Sequence, residues 1–431
     1  MLYVWWMNQA NTTGNSKSRI LLASLVGTTI EFFDFYIYAT AAVLVFPKLF
    51  FPSADPTSAT LQSLATFALA FFARPLGAAL FGHFGDRLGR KATLVAALMT
   101  MGPSTVAIGL LPTYQSIGVA APLLLALFRF GQGLGLGGEW GGAVLLATEN
   151  APEGKKARYG MFPQLGAPIG FLISSATFLI LGKTLTDQQF FTFGWRIPFI
   201  ASAILVWVGL YVRLKITETP DFLKVMENNE RVSVPVVDVF VKHTKAIVLG
   251  TAATITTFLL FYLMTVFTLS YGTSVLHYPK TSFLVAQMIS MLFFGLGIPL
   301  SAVLADKYNR GSILMLATAG IFLFGLVFSP FFSTGSLFVT GVFLAVGMFL
   351  MGLTYGPIGT ALAEIFPPAV RYTGSSLAFT LAGILGASLT PYLATTLAKT
   401  YGLPAVGYYL AIASAITFVA LWAARSSMKE K

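Results

Sequence analysis

The sequence predicts an all-α protein built into a membrane, and three observations carry that prediction. The 431 residues are 56% hydrophobic and only 10% charged, with a mean hydropathy of +0.78, whereas a soluble domain has about 25% charged residues. Apolar runs recur along the whole chain, each near the length of about 20 residues that crosses a bilayer core as a helix. Basic residues gather between alternate runs, as they do in the cytoplasmic loops of membrane proteins.

Hydropathy divides the chain into twelve spans: 20–47, 60–82, 92–112, 120–148, 158–182, 195–215, 244–272, 281–305, 312–331, 335–364, 372–398 and 404–425. Of the 27 Lys and Arg residues, 20 fall in loops and tails on one side, Arg213 among them. Five (Lys48, Lys183, Arg196, Lys280 and Lys399) fall on the other side, and two (Arg74 and Arg129) lie inside spans. This bias predicts a multi-pass protein of the cell (inner) membrane with both termini cytoplasmic. The net charge of +11 is therefore a topology signal, and no nucleic-acid partner is expected. The absence of cysteine excludes disulfides, thiol chemistry and Cys-based metal sites. The three histidines are scattered, so no metal or other cofactor is expected, and no enzymatic activity. The opening MLYVWWMNQANTTGNSKSR lacks the basic start and cleavage site of a signal peptide and reads as a short tail.

One long polar break, TETPDFLKVMENNERVSVPVVDVFVK, separates six spans from six. The expected division is a cytoplasmic tail 1–19, a six-helix bundle 20–215, a cytoplasmic loop 216–243, a second bundle 244–425 and a tail 426–431. An internal repeat supports it. FGDRLGRK (84–91) returns as LADKYNRG (304–311), an offset of 220, and ENAPEGKKARYG (149–160) returns as EIFPPAVRYTG (364–374), an offset of 215. Duplicated helical halves are a common build of secondary transporters, with the substrate site at their interface.

At these residues the chain resembles a known family. GHFGDRLGRK looks like the signature loop of the major facilitator superfamily, and ETPDF and AEIFPPAVRYTGSS are similar to its sugar-porter sequences after spans 6 and 10. EFFDFYIY, FFARPLGAALFGHFGDRLGRK, GLGGEWGGA and FPQLGAP together resemble the bacterial metabolite:proton symporter family, whose members carry shikimate, 2-oxoglutarate, citrate, proline or betaine. In the second half the match is looser: Leu304 and Tyr308 stand where the loop pattern prefers glycine. The resemblance implies a major facilitator fold of twelve transmembrane helices in two pseudo-symmetric six-helix bundles, working by alternating access as a monomer on a small-molecule substrate and protons. It further implies that Asp86, Arg87 and Arg90 latch the two halves at the cytoplasmic face. Glu149 with Arg158 and Glu364 with Arg371 would complete two charge networks, alongside the echoing Asp306 and Arg310. A plainer role, enforcing topology, is open for Arg87 and Lys91.

Five ionisable residues lie well inside spans: Glu31, Asp34, Arg74, Arg129 and Glu139. Each costs at least ~2.5–3.5 kcal/mol near the bilayer centre, which marks it as functional. At about 1.5 Å per helical residue, Asp34 and Arg129 share an outer tier, with Glu31, Arg74 and Glu139 in an inner one. Three acids against two bases leave one negative charge, so one carboxyl is expected to carry an exchangeable proton. In proton-coupled sugar porters an aspartate of span 1 faces an arginine of span 4, and the resemblance assigns those roles to Asp34 and Arg129. Arg74 suits a substrate carboxylate, or it balances Glu31 or Glu139. The candidate substrate residues are Arg74, Arg129, Tyr38, Gln164, Tyr262 and Tyr355. The expected cargo is a small organic acid taken up with a proton. The alternatives are uptake of a zwitterionic osmolyte such as betaine or proline, and efflux by proton antiport.

The run GLGLGG (133–138) fits G-x-G-x-x-G, but it lies inside an apolar span with no strand before it, and that pattern holds pyrophosphate only where a strand turns into a helix. Its glycines, four residues apart, instead predict a surface for close helix packing. Trp140 beside it either lines the cavity or packs.

Overall fold

A computed structural model describes residues 17–52, 56–228 and 232–428. Most of the N-terminal tail lies outside the described residues, as do the basic Arg231, Lys429 and Lys431.

Twelve helices carry the architecture: α1 (Lys17–Leu44), α2 (Pro56–Leu88), α3 (Arg90–Leu110), α4 (Ala120–Glu149), α5 (Lys156–Thr184), α6 (Ile197–Leu214), α7 (Thr244–Tyr262), α8 (Lys280–Lys307), α9 (Arg310–Leu326), α10 (Leu337–Ile365), α11 (Arg371–Gly383) and α12 (Leu403–Ala424). Eleven of these positions hold helices long and apolar enough to cross a membrane. The ninth is shorter than the hydropathy pattern suggests: α9 has 17 residues, and Val327 separates it from the short helix Phe328–Phe332. α7 and α11 instead lengthen through π-helical turns, Leu263–Phe267 and Ile384–Ser388, into Thr268–Ser274 and Thr390–Tyr401. Large apolar side chains such as Leu123, Ile204, Trp207, Leu316 and Phe338 stay exposed on the outer faces, where lipid rather than water is the solvent.

The sequence repeat reappears as a repeat of contacts. α1 packs on α5, α2 on α4 and α3 on α6; six helices later α7 packs on α11, α8 on α10 and α9 on α12. The main contacts across the seam follow the same rule, α2 against α11 and α8 against α5. Between α6 and α7 the polar break folds into two short helices, Pro220–Glu227 and Pro235–Lys242.

The glycine run of α4 is a two-sided packing surface. A Cβ at Gly133 would stand 2.7 Å from Ala70 Cα and Ala73 Cβ on α2, and one at Gly135 2.7 Å from Ala97 O and Met101 Cβ on α3. Only hydrogen fits at both positions, so α4 sits wedged between its neighbours and its charged residues are held in fixed register.

Candidate functional site

At one end of the bundle, the last turn of α2 carries Asp86 to the start of α11. Its carboxylate accepts hydrogen bonds from Tyr372 N (3.2 Å), Thr373 N (2.9 Å) and Thr373 Oγ1 (2.8 Å), while Arg90 Nη1 lies 3.2 Å away. An acid thus meets the unpaired N–H groups and positive end of a helix from the other half. Gly89, at φ +115°, supplies the left-handed turn that frees Arg90 to start α3. The echo repeats the geometry: Asp306 accepts from Ala157 N (2.8 Å) and Arg158 N (2.9 Å) at the start of α5, with Arg310 at 3.6 Å.

The partners within the networks differ from those expected. Glu149 meets Arg90 and Arg371, each at 3.4 Å, and not Arg158. Arg158 lies 3.7 Å from Asp306, and Glu364 holds Arg310 at 2.6 Å rather than Arg371. Each loop arginine one turn past its aspartate reaches the glutamate of its own half, and the arginine after the fourth or tenth helix crosses the seam. Arg371 also binds Asp221 of the central loop at 2.8 Å. Thr219 Oγ1 donates to Glu149 at 2.6 Å. Glu218 accepts from Arg90 N and Lys91 N, and its burial pushes its carboxyl above the usual range. Arg87 is exposed, outside the buried cluster around Asp86 and Arg90.

Deeper in the bundle the structure corrects the count of charges. Arg213 was grouped with the cytoplasmic loops, but α6 continues through it and turns it inward, buried, onto Glu139, with Nη1 donating to Leu94 O at 2.8 Å. Glu139 is therefore the partner of Arg213 and not of Arg74. Three buried acids now stand against three buried arginines, equal numbers of opposite formal charge.

Asp34 and Arg129 are joined, but not directly. Arg129 Nη1 donates to Gln132 Oε1 (3.0 Å), Gln132 Nε2 donates to Thr105 Oγ1 (2.7 Å), and Thr105 Oγ1 donates to Asp34 Oδ2 (2.8 Å). Ser202 Oγ donates to the other carboxylate oxygen at 2.5 Å. The Arg129 guanidinium lies 4.0 Å from the centre of the Tyr38 ring and near those of Phe35 and Phe67, a cation–π enclosure. Its Nε and Nη2 are buried without a hydrogen-bond partner.

A small cavity of about 30 Å³ lies between the two sets of six helices. Glu31, Arg74 and Trp140 line one side, with Tyr355, Ser376, Phe379 and Thr380 opposite. The Trp140 and Phe379 rings stack across the seam, centroids 3.4 Å apart, so Trp140 both lines the cavity and packs. Arg74 sits over Phe35 at 4.6 Å. Gln164 accepts from Trp140 Nε1 and donates to Tyr355 O, each at 2.8 Å, which ties the wall together from behind. Tyr38 does not reach the cavity; it is bonded to Thr66 at 2.7 Å within an aromatic cluster. Arg129 and Tyr262 likewise lie outside the lining. Four of the lining residues that sequence reasoning missed come from α11. Ser376, Phe379, Thr380 and Gly383 recur at one-face helical spacing, a stripe visible in SSLAFTLAG.

Comparison with known proteins agrees with this architecture. Residues 24–388 match the family described as Major Facilitator Superfamily. The chain belongs to that superfamily. It is 55% identical over 418 residues to the inner membrane metabolite transport protein YhjE of Escherichia coli (strain K12), covering 96% of this chain and 95% of the relative. It is 36% identical to the shikimate transporter of the same strain, over 88% and 87% of the two chains, and 30% identical to its proline/betaine transporter, over 94% and 83%. A solved structure of the proton:xylose symporter XylE bound to 6-bromo-6-deoxy-D-glucose shares the fold, with a TM-score of 0.75 and 17% identity over 94% of each chain. Within the superfamily the chain groups with the metabolite:proton symporters and is an inner-membrane metabolite transporter, not an enzyme.

Proposed function

We propose that this transporter imports a small organic acid together with a proton, by rocking its two sets of six helices about the central loop. The observation that carries the reading is the cavity between them, whose charged lining residues are one acid, Glu31, and one guanidinium, Arg74. In the empty site the two balance. An entering carboxylate takes Arg74 and leaves Glu31 uncompensated in a poorly hydrated space, which is costly unless Glu31 gains a proton. Anion and proton therefore bind together. The relay from Asp34 to Arg129 lies beside this site, and protonation of Asp34 would release Thr105 and loosen the hold on Arg129. With both latches closed, the cytoplasmic entrance is sealed, and substrate enters from the opposite face.

Uptake of a zwitterionic osmolyte is the second reading. It is favoured by the same acid and base standing in one cavity, which could take an ammonium and a carboxylate without a proton. Substrate-induced proton movement in proteoliposomes separates the two. External alkalinisation with carboxylic acids supports symport of an acid. A response to betaine or proline alone supports the second reading, and silence with an active control carrier removes both.

A further inference from the structure

The short helix Pro235–Lys242 of the central loop is apolar on two sides. One side, Pro235 and Val239, is buried, where the helix packs on α2, α7, α11 and the turn Pro368–Val370. The other carries Val237, Phe240 and Val241, with Val234 just before the helix; all four are exposed, Val241 at 72%. Steps of three, three and one put them on a single helical face. A contiguous apolar face of this kind marks a contact surface, since water alone is a poor solvent for it. The neighbouring elements say what covers it. His243 alone separates this helix from α7, whose first residue, Thr244, opens the membrane span Thr244–Ser274. Val248, in the second turn of α7, is exposed like the other outward-facing apolar side chains. The apolar face is thus continuous along the chain with a surface that meets lipid.

Charge points the same way. The segment RVSVPVVDVFVKHTK (231–245) holds three basic residues and one acid. That acid, Asp238, is already neutralised from its own helix end, with Lys242 at 2.5 Å and His243 at 3.8 Å. Lys242 and Lys245 are both exposed, and lysine stems lie along apolar surface while their ammonium groups reach outward. We infer that Pro235–Lys242 is an interfacial helix that docks anionic phospholipid: Val234, Val237, Phe240 and Val241 among the upper acyl chains, Lys242 and Lys245 at the headgroup phosphates. Such a helix binds through buried apolar area together with attraction to anionic lipid. Because it packs on α2 of one half and on α7 and α11 of the other, lipid held there touches an element that spans the seam. The inference is independent of what the transporter carries.

Single cysteines can be placed without background, since the chain contains none. Val237→Cys and Val241→Cys, with Glu153→Cys in the exposed turn after α4 as control, are labelled with nitrobenzoxadiazole in the purified full chain. Each is reconstituted into vesicles of phosphatidylcholine and phosphatidylglycerol, with a spin label near the top of the acyl chain of one lipid or the other. Both helix probes should be quenched by spin-labelled lipid and shielded from iodide, and the control should behave in the opposite way. Phosphatidylglycerol should be enriched at the helix about fivefold over phosphatidylcholine, the effect of one lysine near an anionic surface. Lys242→Gln/Lys245→Gln should abolish that preference while quenching by lipid and the melting temperature persist. Helix probes open to iodide and untouched by lipid would overturn the inference and place the face in water, free for a soluble protein. Equal quenching by the two lipids, or a preference that survives the double substitution, would overturn it as well.

Discussion

Glu139 of α4 and Arg213 of α6 form an ion pair inside the bundle, both almost fully buried and packed directly against Gly27 of α1. A pair of this kind contributes little net stability, since desolvation offsets the attraction, but losing one partner strands a charge. Arg213→Gln is therefore expected to destabilise the protein by about 3–5 kcal/mol. The double variant Glu139→Gln/Arg213→Gln should recover much of that loss. Thermal unfolding in detergent reads both, and a double variant no better than the single one would refute the pairing as the cause.

Breaking the relay between Asp34 and Arg129 should uncouple transport without unfolding the protein. Asp34→Asn keeps an acceptor for Ser202 but cannot carry a charge, so accumulation driven by a pH gradient should vanish while exchange of internal for external substrate persists. Gln132→Leu removes the bridge at similar volume and should lower coupled uptake at least about tenfold, the effect of one lost hydrogen bond to a charged group. Uptake assays with and without a pH gradient check both, and undiminished accumulation by Asp34→Asn would end its role in coupling.

The latch makes a prediction about conformation. Asp86 and Asp306 each accept backbone N–H bonds from a helix of the other half, bonds worth about 1.5–3 kcal/mol each to a charged acceptor. Neutralising both aspartates should open the cytoplasmic face more often, by a factor of ten or more at roughly 1.4 kcal/mol per tenfold. The chain has no cysteine, so a single Thr360→Cys reporter gives no background. Thr360 is buried at the seam, donating to Lys156 O at 3.4 Å. Its labelling rate should rise in Asp86→Asn/Asp306→Asn, and an unchanged rate would show that other contacts keep that face shut.

These relationships were legible in the sequence to different depths. The duplicated loops and the sign of each charge pointed to the repeated helix contacts and to the members of the two charge clusters, because a repeat in sequence becomes a repeat in packing. Which arginine meets which glutamate was not legible, since Arg158 and Arg371 reach across the seam and one-dimensional spacing favours partners in the same half. Arg213 was counted with the loop charges although the hydropathy span 195–215 already contained it. The signal that could have placed it is the buried stripe Ser202, Val206, Gly209 and Arg213 at spacings of four, three and four. The aromatic seat of Arg129 and the four-residue relay depend on side-chain directions that no hydropathy pattern encodes.

Arg213 also bears on the energetics of transport. With all six ionised, Glu31, Asp34 and Glu139 cancel Arg74, Arg129 and Arg213 in formal charge, and neutrality is the cheapest state in a low-dielectric core. A substrate with one carboxylate then restores neutrality by bringing one proton, and the loaded carrier crosses its conformational cycle without moving net charge. Uptake of a monocarboxylate is therefore expected to follow the pH gradient and ignore the membrane potential. A tenfold proton gradient should support about tenfold accumulation, both being worth about 1.4 kcal/mol. Imposing an inside-negative potassium diffusion potential on proteoliposomes with valinomycin should change the initial rate less than about twofold, whereas each net charge carried would couple to about 2.3 kcal/mol per 100 mV. Stimulation by that potential would mean that more than one proton travels per carboxylate, and that one of the three buried couples changes its charge during the cycle.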